Sequence, residues 1–213
     1  VQLRTPVTAA TPLKTPLKSP LKTNELVVSS GTATGRNHIY EQGTRMMQGE
    51  IPVIAAIQGA AIGGGLGLAL TADFRVAAPE ARFSANFARL GFHHGFGLTV
   101  TLPKLVGGQA AMNLLLTGRR LKADEALQLG LCDEVVDLAD LRTRAGVLAN
   151  EIASSGPLSV RAIRRTMRRG LVEQFRTAVD REQVEQEWLR KTADFREGIS
   201  AAAARREPNF QGS

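Results

Sequence analysis

The stretch IPVIAAIQGAAIGGGLGLAL, residues 51–70, decides how this chain is read. Ile51 to Ile57 is a continuous apolar run rich in β-branched residues, which predicts a strand buried on both faces. Gln58–Gly65 reads as a glycine-rich turn, and Leu66–Leu70 as a short apolar helix. Gly63, Gly64 and Gly65 are consecutive, and glycine loses more backbone freedom on folding than any other residue. A triplet therefore needs a steric reason: tight packing of strand against helix, or a ligand that must approach the backbone. The second reason has a chemistry attached. The first N–H groups of a helix have no intrahelical partner, and the helix dipole adds partial positive charge there, so such a turn can hold a developing oxyanion. The spacing is not G-x-G-x-x-G, so a dinucleotide loop fits poorly.

Outward from this stretch, 38–48 predicts a short helix, and Phe74–Ala78 and Arg82–Ser84 predict strands. Helices are expected at Thr99–Leu105, Gln109–Thr117 and Ala123–Leu129, then a strand at Leu131–Val136. Leu141, Ala145, Leu148 and Ile152 recur at helical spacing, so 140–153 is expected as amphipathic helix. Two further helices should end near Gly170 and run from Val172 to Lys191. Strands early and helices late imply an α/β core with a helical C-terminal part.

The 213 residues are 43% hydrophobic, enough to bury a core. The net charge is +7, which suits an anionic partner without choosing among nucleic acid, membrane and phosphorylated ligand. Aromatic residues at 5% argue against a base-stacking surface for single strands. One cysteine, Cys132, cannot form an internal disulfide, so a cytoplasmic, reducing setting is expected. Three histidines and one cysteine give no metal-ligand pattern, and no apolar run reaches transmembrane length. Residues 1–37 differ from the rest: TPLK, TPLK and SPLK follow one another from Thr11 to Lys22, which predicts an extended or disordered leader.

At the glycine triplet the residues resemble a known family. PVIAAIQGAAIGGGLGLALTADFRVAA followed by ARFS (52–84), LTGRRLKADEALQLGLCDEVVD (116–137) and KTADFREGISAAAARREPNF (191–210) are similar to ordered motifs of the crotonase, or enoyl-CoA hydratase/isomerase, superfamily. The resemblance implies a ββα spiral core, here 38–140, with a helical C-terminal region at 141–213. It implies acyl-CoA as ligand, with no cofactor beyond the coenzyme A of the thioester, and a homo-oligomer, trimer or hexamer. It places the Gly64 N–H as an oxyanion donor, with Ala61, Ile62, Gly63, Gly65 and Phe87 lining the substrate site. Arg205 falls where the family often meets the CoA phosphates.

The sequence also departs from the pattern. By resemblance, the two glutamates that do acid–base work in hydratases should stand where this chain has Gly67 and Phe87. Neither can transfer a proton, and each lost group removes roughly a 10²–10⁴-fold contribution. Hydration is therefore doubtful, and a non-catalytic acyl-CoA binder is the alternative within the family. His93 and His94, in GFHHGFG (91–97), are the nearby candidates for a replacement base, or else a backbone-bonding pair in a turn. The strands and loop that supply the family's other oxyanion donor are expected upstream of the glycine motif, and residues 1–37 contain nothing like them. A different class of function is a basic nucleic-acid-binding homologue. Arg161, Arg164, Arg165, Arg168 and Arg169 share a helical face, with Val160, Ile163 and Met167 as the opposite apolar stripe.

Overall fold

The computed structural model describes residues 39–213, so the leader expected at 1–37 lies outside the described residues. Helix α1 (Ile39–Gln48) leads to strand β1 (Ile54–Ile57), then β2 (Ala60–Ile62), α2 (Gly64–Thr71), β3 (Phe74–Ala77) and β4 (Arg82–Ser84). β1 and β3 pair in parallel in one sheet, while β2 and β4 pair in parallel in another. Each ββα unit thus gives one strand to each sheet, and the helix returns the chain to begin the next unit beside the last. This is the spiral of the crotonase fold. β5 (Leu121–Lys122) completes the second sheet antiparallel to β4, and β6 (Glu134–Val135) completes the first beside β3.

Between these lie a 3₁₀ turn (Asn86–Leu90), α3 (Leu98–Val106), α4 (Gly108–Thr117) and α5 (Ala123–Gln128). The C-terminal region is helical: α6 (Leu141–Ala153), α7 (Pro157–Met167), α8 (Leu171–Leu189) and α9 (Ala193–Ala204). Pro157 opens α7, where its missing N–H is harmless. Among the described residues, no helix is long and apolar enough to cross a membrane.

Three sequence expectations need correction. The strand read over Ile51–Ile57 begins at Ile54 and is not buried on both faces: Ala56 and Ile51 are exposed. β1 is also an edge of its sheet among the described strands. The turn read over Gln58–Gly65 contains β2, because Ala60–Ile62 finds a partner in β4 that local sequence does not reveal. The third correction is the arginine face.

Arg164 and Arg168 do not face solvent. Arg164 donates through Nε to Asp73 Oδ2 at 2.9 Å and through Nη1 to the Gly49 carbonyl. Arg168 reaches Asp73 Oδ1 at 2.9 Å and the Thr71 carbonyl at 2.8 Å. Asp73 also accepts from the Val53 N–H, so one carboxylate joins α7, the end of α2 and the entry to β1. The helix is therefore turned over relative to its apolar stripe: Ile163 is 63% exposed and Met167 80%. Burying two guanidiniums is tolerable only because each is paired and hydrogen-bonded.

The main core gathers Leu66 of α2, Phe83 of β4, Leu98 and Leu102 of α3, Leu114 of α4 and Leu121 of β5. A second cluster, Tyr40, Met47, Phe96, Phe175 and Val179, locks α1 to α8.

Candidate active site

The site grows from the end of β2. The Gly63 N–H donates to the Ser84 carbonyl at 2.8 Å, which ties the strand end to β4. Gly63 then takes φ 55° and ψ −118°, a backbone that L-residues with a side chain rarely adopt. That turn starts α2, whose first intrahelical bond runs from the Gly67 N–H to the Gly63 carbonyl at 3.1 Å. No side chain caps this helix, and the N–H groups of Gly64 and Gly65 make no hydrogen bond among the described residues. A Cβ added at Gly64 or at Gly65 would meet no atom within 4 Å. The triplet is thus not there for tight packing at its second and third positions. It presents, among the described residues, two unpaired N–H groups at the positive end of a helix.

Asn86 and Phe87 form the wall beside it. A Cβ on Gly63 would lie 3.1 Å from Asn86 Oδ1 and 3.5 Å from the Phe87 ring. Phe87 is buried, tilted against Phe92 at 5.9 Å and edge-on to His94 at 5.6 Å. Phe92 in turn packs on Phe195 of α9 at 5.0 Å, with the Arg190 guanidinium 5.1 Å above its ring. The Asn86 side-chain amide is half-buried and makes no hydrogen bond among the described residues. Within ARFSANFARLG (81–91) nothing local sets Asn86 apart from a turn residue.

Each of the two histidines bonds a backbone carbonyl. His94 Nε2 lies 2.9 Å from the Leu115 carbonyl, which can only accept, so Nε2 carries the proton. Nδ1 is then a buried acceptor without a partner. Burial, reinforced by His93, pulls the His94 pKa down to about 4, so the ring is neutral at pH 7 and only weakly basic. His93 Nδ1 bonds the His94 carbonyl at 2.9 Å. The carbonyls of both residues accept from Gln186 Nε2 at 3.0 and 3.1 Å. Buried Glu182 accepts from the Gly97 N–H at 2.8 Å and from Thr99 Oγ1 at 2.7 Å, which caps α3 and fastens the same loop to α8.

Ala61 is buried in the main core, and Ile62 is half-buried beside Ser84. Arg205 is exposed at the end of α9 with φ 54°. α9 itself packs on the 3₁₀ turn: a Cβ on Gly198 would collide with the Leu90 backbone, and one on Gly91 with the Asp194 backbone. The neighbouring Arg206 is engaged with Glu197. A cavity of about 470 Å³ opens elsewhere, between Ile51, Ile54, Ile152 and Pro157, and shares no residue with this site.

The enoyl-CoA hydratase/isomerase family pattern matches residues 23–213. The chain belongs to this family. It is 38% identical over 161 residues to the crotonyl-CoA hydratase of Syntrophomonas wolfei, covering 76% of this chain and 62% of that protein. It is 41% identical over 130 residues to the short-chain-enoyl-CoA hydratase of Clostridium acetobutylicum, covering 61% of this chain and 50% of that protein. The crystal structure of an enoyl-CoA hydratase from Mycobacterium avium subsp. paratuberculosis superposes with a TM-score of 0.76 at 28% identity, over 81% of this chain and 70% of that one. The chain spans between half and two thirds of the length of the curated relatives it matches.

Proposed function

We propose that this enoyl-CoA hydratase/isomerase-family chain binds an acyl-CoA thioester with its carbonyl oxygen on the Gly64 N–H and stabilises the oxyanion there, without hydrating an enoyl double bond. The observation that carries this reading is the pair of N–H groups at the head of α2, unpaired among the described residues, within the family's glycine motif. One such donor contributes roughly 3–4 kcal/mol to a transition state. Against hydration stand Gly67 and Phe87, which carry no titratable group, and the neutral His94 ring. Ile62, Gly63, Gly65 and Phe87 would line the acyl end, and Arg205 would meet CoA phosphates. No cofactor other than the CoA of the thioester is needed.

The exposed apolar residues of α7, with Trp188 of α8 53% exposed, support self-association of this chain. The single, buried Cys132 suits a cytoplasmic setting. Nucleic-acid binding is disfavoured, because two of the five arginines on which it rested are spent on Asp73.

Calorimetric titration of the full chain with butyryl-CoA, beside a random DNA duplex at several salt concentrations, tests the reading. Saturable butyryl-CoA binding is expected. Duplex binding without any butyryl-CoA binding would refute it.

A further inference from the structure

The cavity away from the glycine turn has a chemistry of its own. It is a groove of about 470 Å³, walled by Ile51, Pro52 and Ile54 on the approach to β1, by Ile152 and Ala153 of α6, and by Val160 of α7. Small-molecule sites fall in this size range and are mostly apolar, with a few placed polar groups. Ile54, Ile152 and Val160 are half-buried, so solvent reaches the walls. None of the described residues lining the groove is an acid.

The charged group comes from α7. Pro157, Val160 and Arg161 stand at i, i+3 and i+4, share one face of that helix and all line the groove. Arg161 is exposed and makes no hydrogen bond or ion pair among the described residues, whereas Arg164 and Arg168 are both held by Asp73. The head of α7 adds to it. No side chain caps this helix, and the N–H groups of Leu158 and Ser159 are unpaired among the described residues. The helix dipole places partial positive charge at that end. An apolar trough with an uncommitted guanidinium and a helix head on its rim complements an apolar tail that ends in an anion. Arginine suits a carboxylate there, because its planar fork can donate to both oxygens.

We propose that this groove binds an unesterified straight-chain aliphatic carboxylate. The tail lies against Ile54, Ile152 and Val160, and the carboxylate meets Arg161. The groove shares no lining residue with the glycine turn, so this binding stands apart from the acyl-CoA reading.

The test is calorimetric titration of the full chain with decanoate below its micelle concentration, beside decanol as the uncharged counterpart. Decanoate should bind at one site per chain, at least about tenfold more tightly than decanol. Affinity should rise about two- to fourfold for each methylene added from hexanoate to decanoate. Arg161→Ala should weaken decanoate by about tenfold or more and leave decanol unchanged. Ala153→Trp, at an exposed position, should fill the groove and abolish decanoate binding, with circular dichroism reporting an intact fold. Saturating butyryl-CoA should leave decanoate binding unchanged. Displacement of decanoate by butyryl-CoA would move the acid to the thioester site and overturn the proposal. So would equal affinity for decanol, binding that survives both variants, or no decanoate binding. Butyryl-CoA binding measured alone decides the acyl-CoA reading separately.

Discussion

Phe96 occupies the ground over Gly67. A Cβ added at Gly67 would fall against the Phe96 Cβ and lie 2.8 Å from its Cγ. The same ring closes on α1, where a Cβ at Gly43 would be 2.6 Å from Phe96 Cε1. Phe96 also holds φ 61°, a left-handed backbone that a bulky residue seldom adopts. Its edge contacts with Tyr40 at 5.7 Å and Phe175 at 6.4 Å hold it there. While Phe96 stands there, position 67 has no room for a side chain.

Gly67→Glu should accordingly not restore hydration. It should destabilise the fold by about 1–3 kcal/mol through overpacking. Combining it with Phe96→Ala should relieve the clash, giving a coupling energy above roughly 0.5 kcal/mol in a denaturant double-mutant cycle. Additive single-variant effects would disprove the contact.

Gly64→Pro removes one N–H and little else. Proline suits the first position of a helix, and a Cβ at Gly64 meets nothing within 4 Å. Thermal unfolding should change little, while turnover of any thioester substrate should fall by roughly 10²–10³-fold. Unchanged turnover would place the oxyanion elsewhere.

His94 makes stability depend on pH. Its folded pKa, about 4, lies below the ordinary imidazole value of 6.5, so the unfolded chain binds the proton first as pH falls. Its contribution is complete above pH 6.5 and is lost between there and pH 4, by on the order of 3 kcal/mol. Urea unfolding at pH 7 and pH 4.5 should show a smaller difference for His94→Gln, which keeps a donor for Leu115, than for the parent chain.

Asp73 pairs with the buried Arg164 guanidinium and the half-buried Arg168 guanidinium. Asp73→Ala leaves Arg164 and Arg168 without a counter-charge and should cost about 3–5 kcal/mol in chemical denaturation. Arg161→Ala, at an exposed position on the same helix, should change stability by less than about 0.5 kcal/mol.

Ile163 and Met167 point outward from α7. Ile163→Glu with Met167→Glu should leave each subunit folded and shift sedimentation toward the monomer. An unchanged sedimentation coefficient would free this stripe from any role in assembly.

Much of the spiral was legible in the residues. The triplet, the β-branched approach to it and the helical spacing of Leu141, Ala145, Leu148 and Ile152 are local signals, and α2 and α6 form where they indicate. β2 and β6 were missed or overextended, because strands of 3 and 2 residues exist only by virtue of distant partners. Asn86 escaped notice because nothing local distinguishes an uncommitted amide from a turn residue.

The sequence by itself determined the family, the place where a helix begins on free N–H groups, and the absence of carboxylates at positions 67 and 87. Only the tertiary structure decided that Phe96 fills the first of these spaces, that His94 is a neutral strut, and that two of the five arginines of the basic face point inward. Periodicity reports which residues share a face of a helix. Which face turns inward depends on what waits there, and here the half-buried Asp73 carboxylate outweighed the apolar stripe.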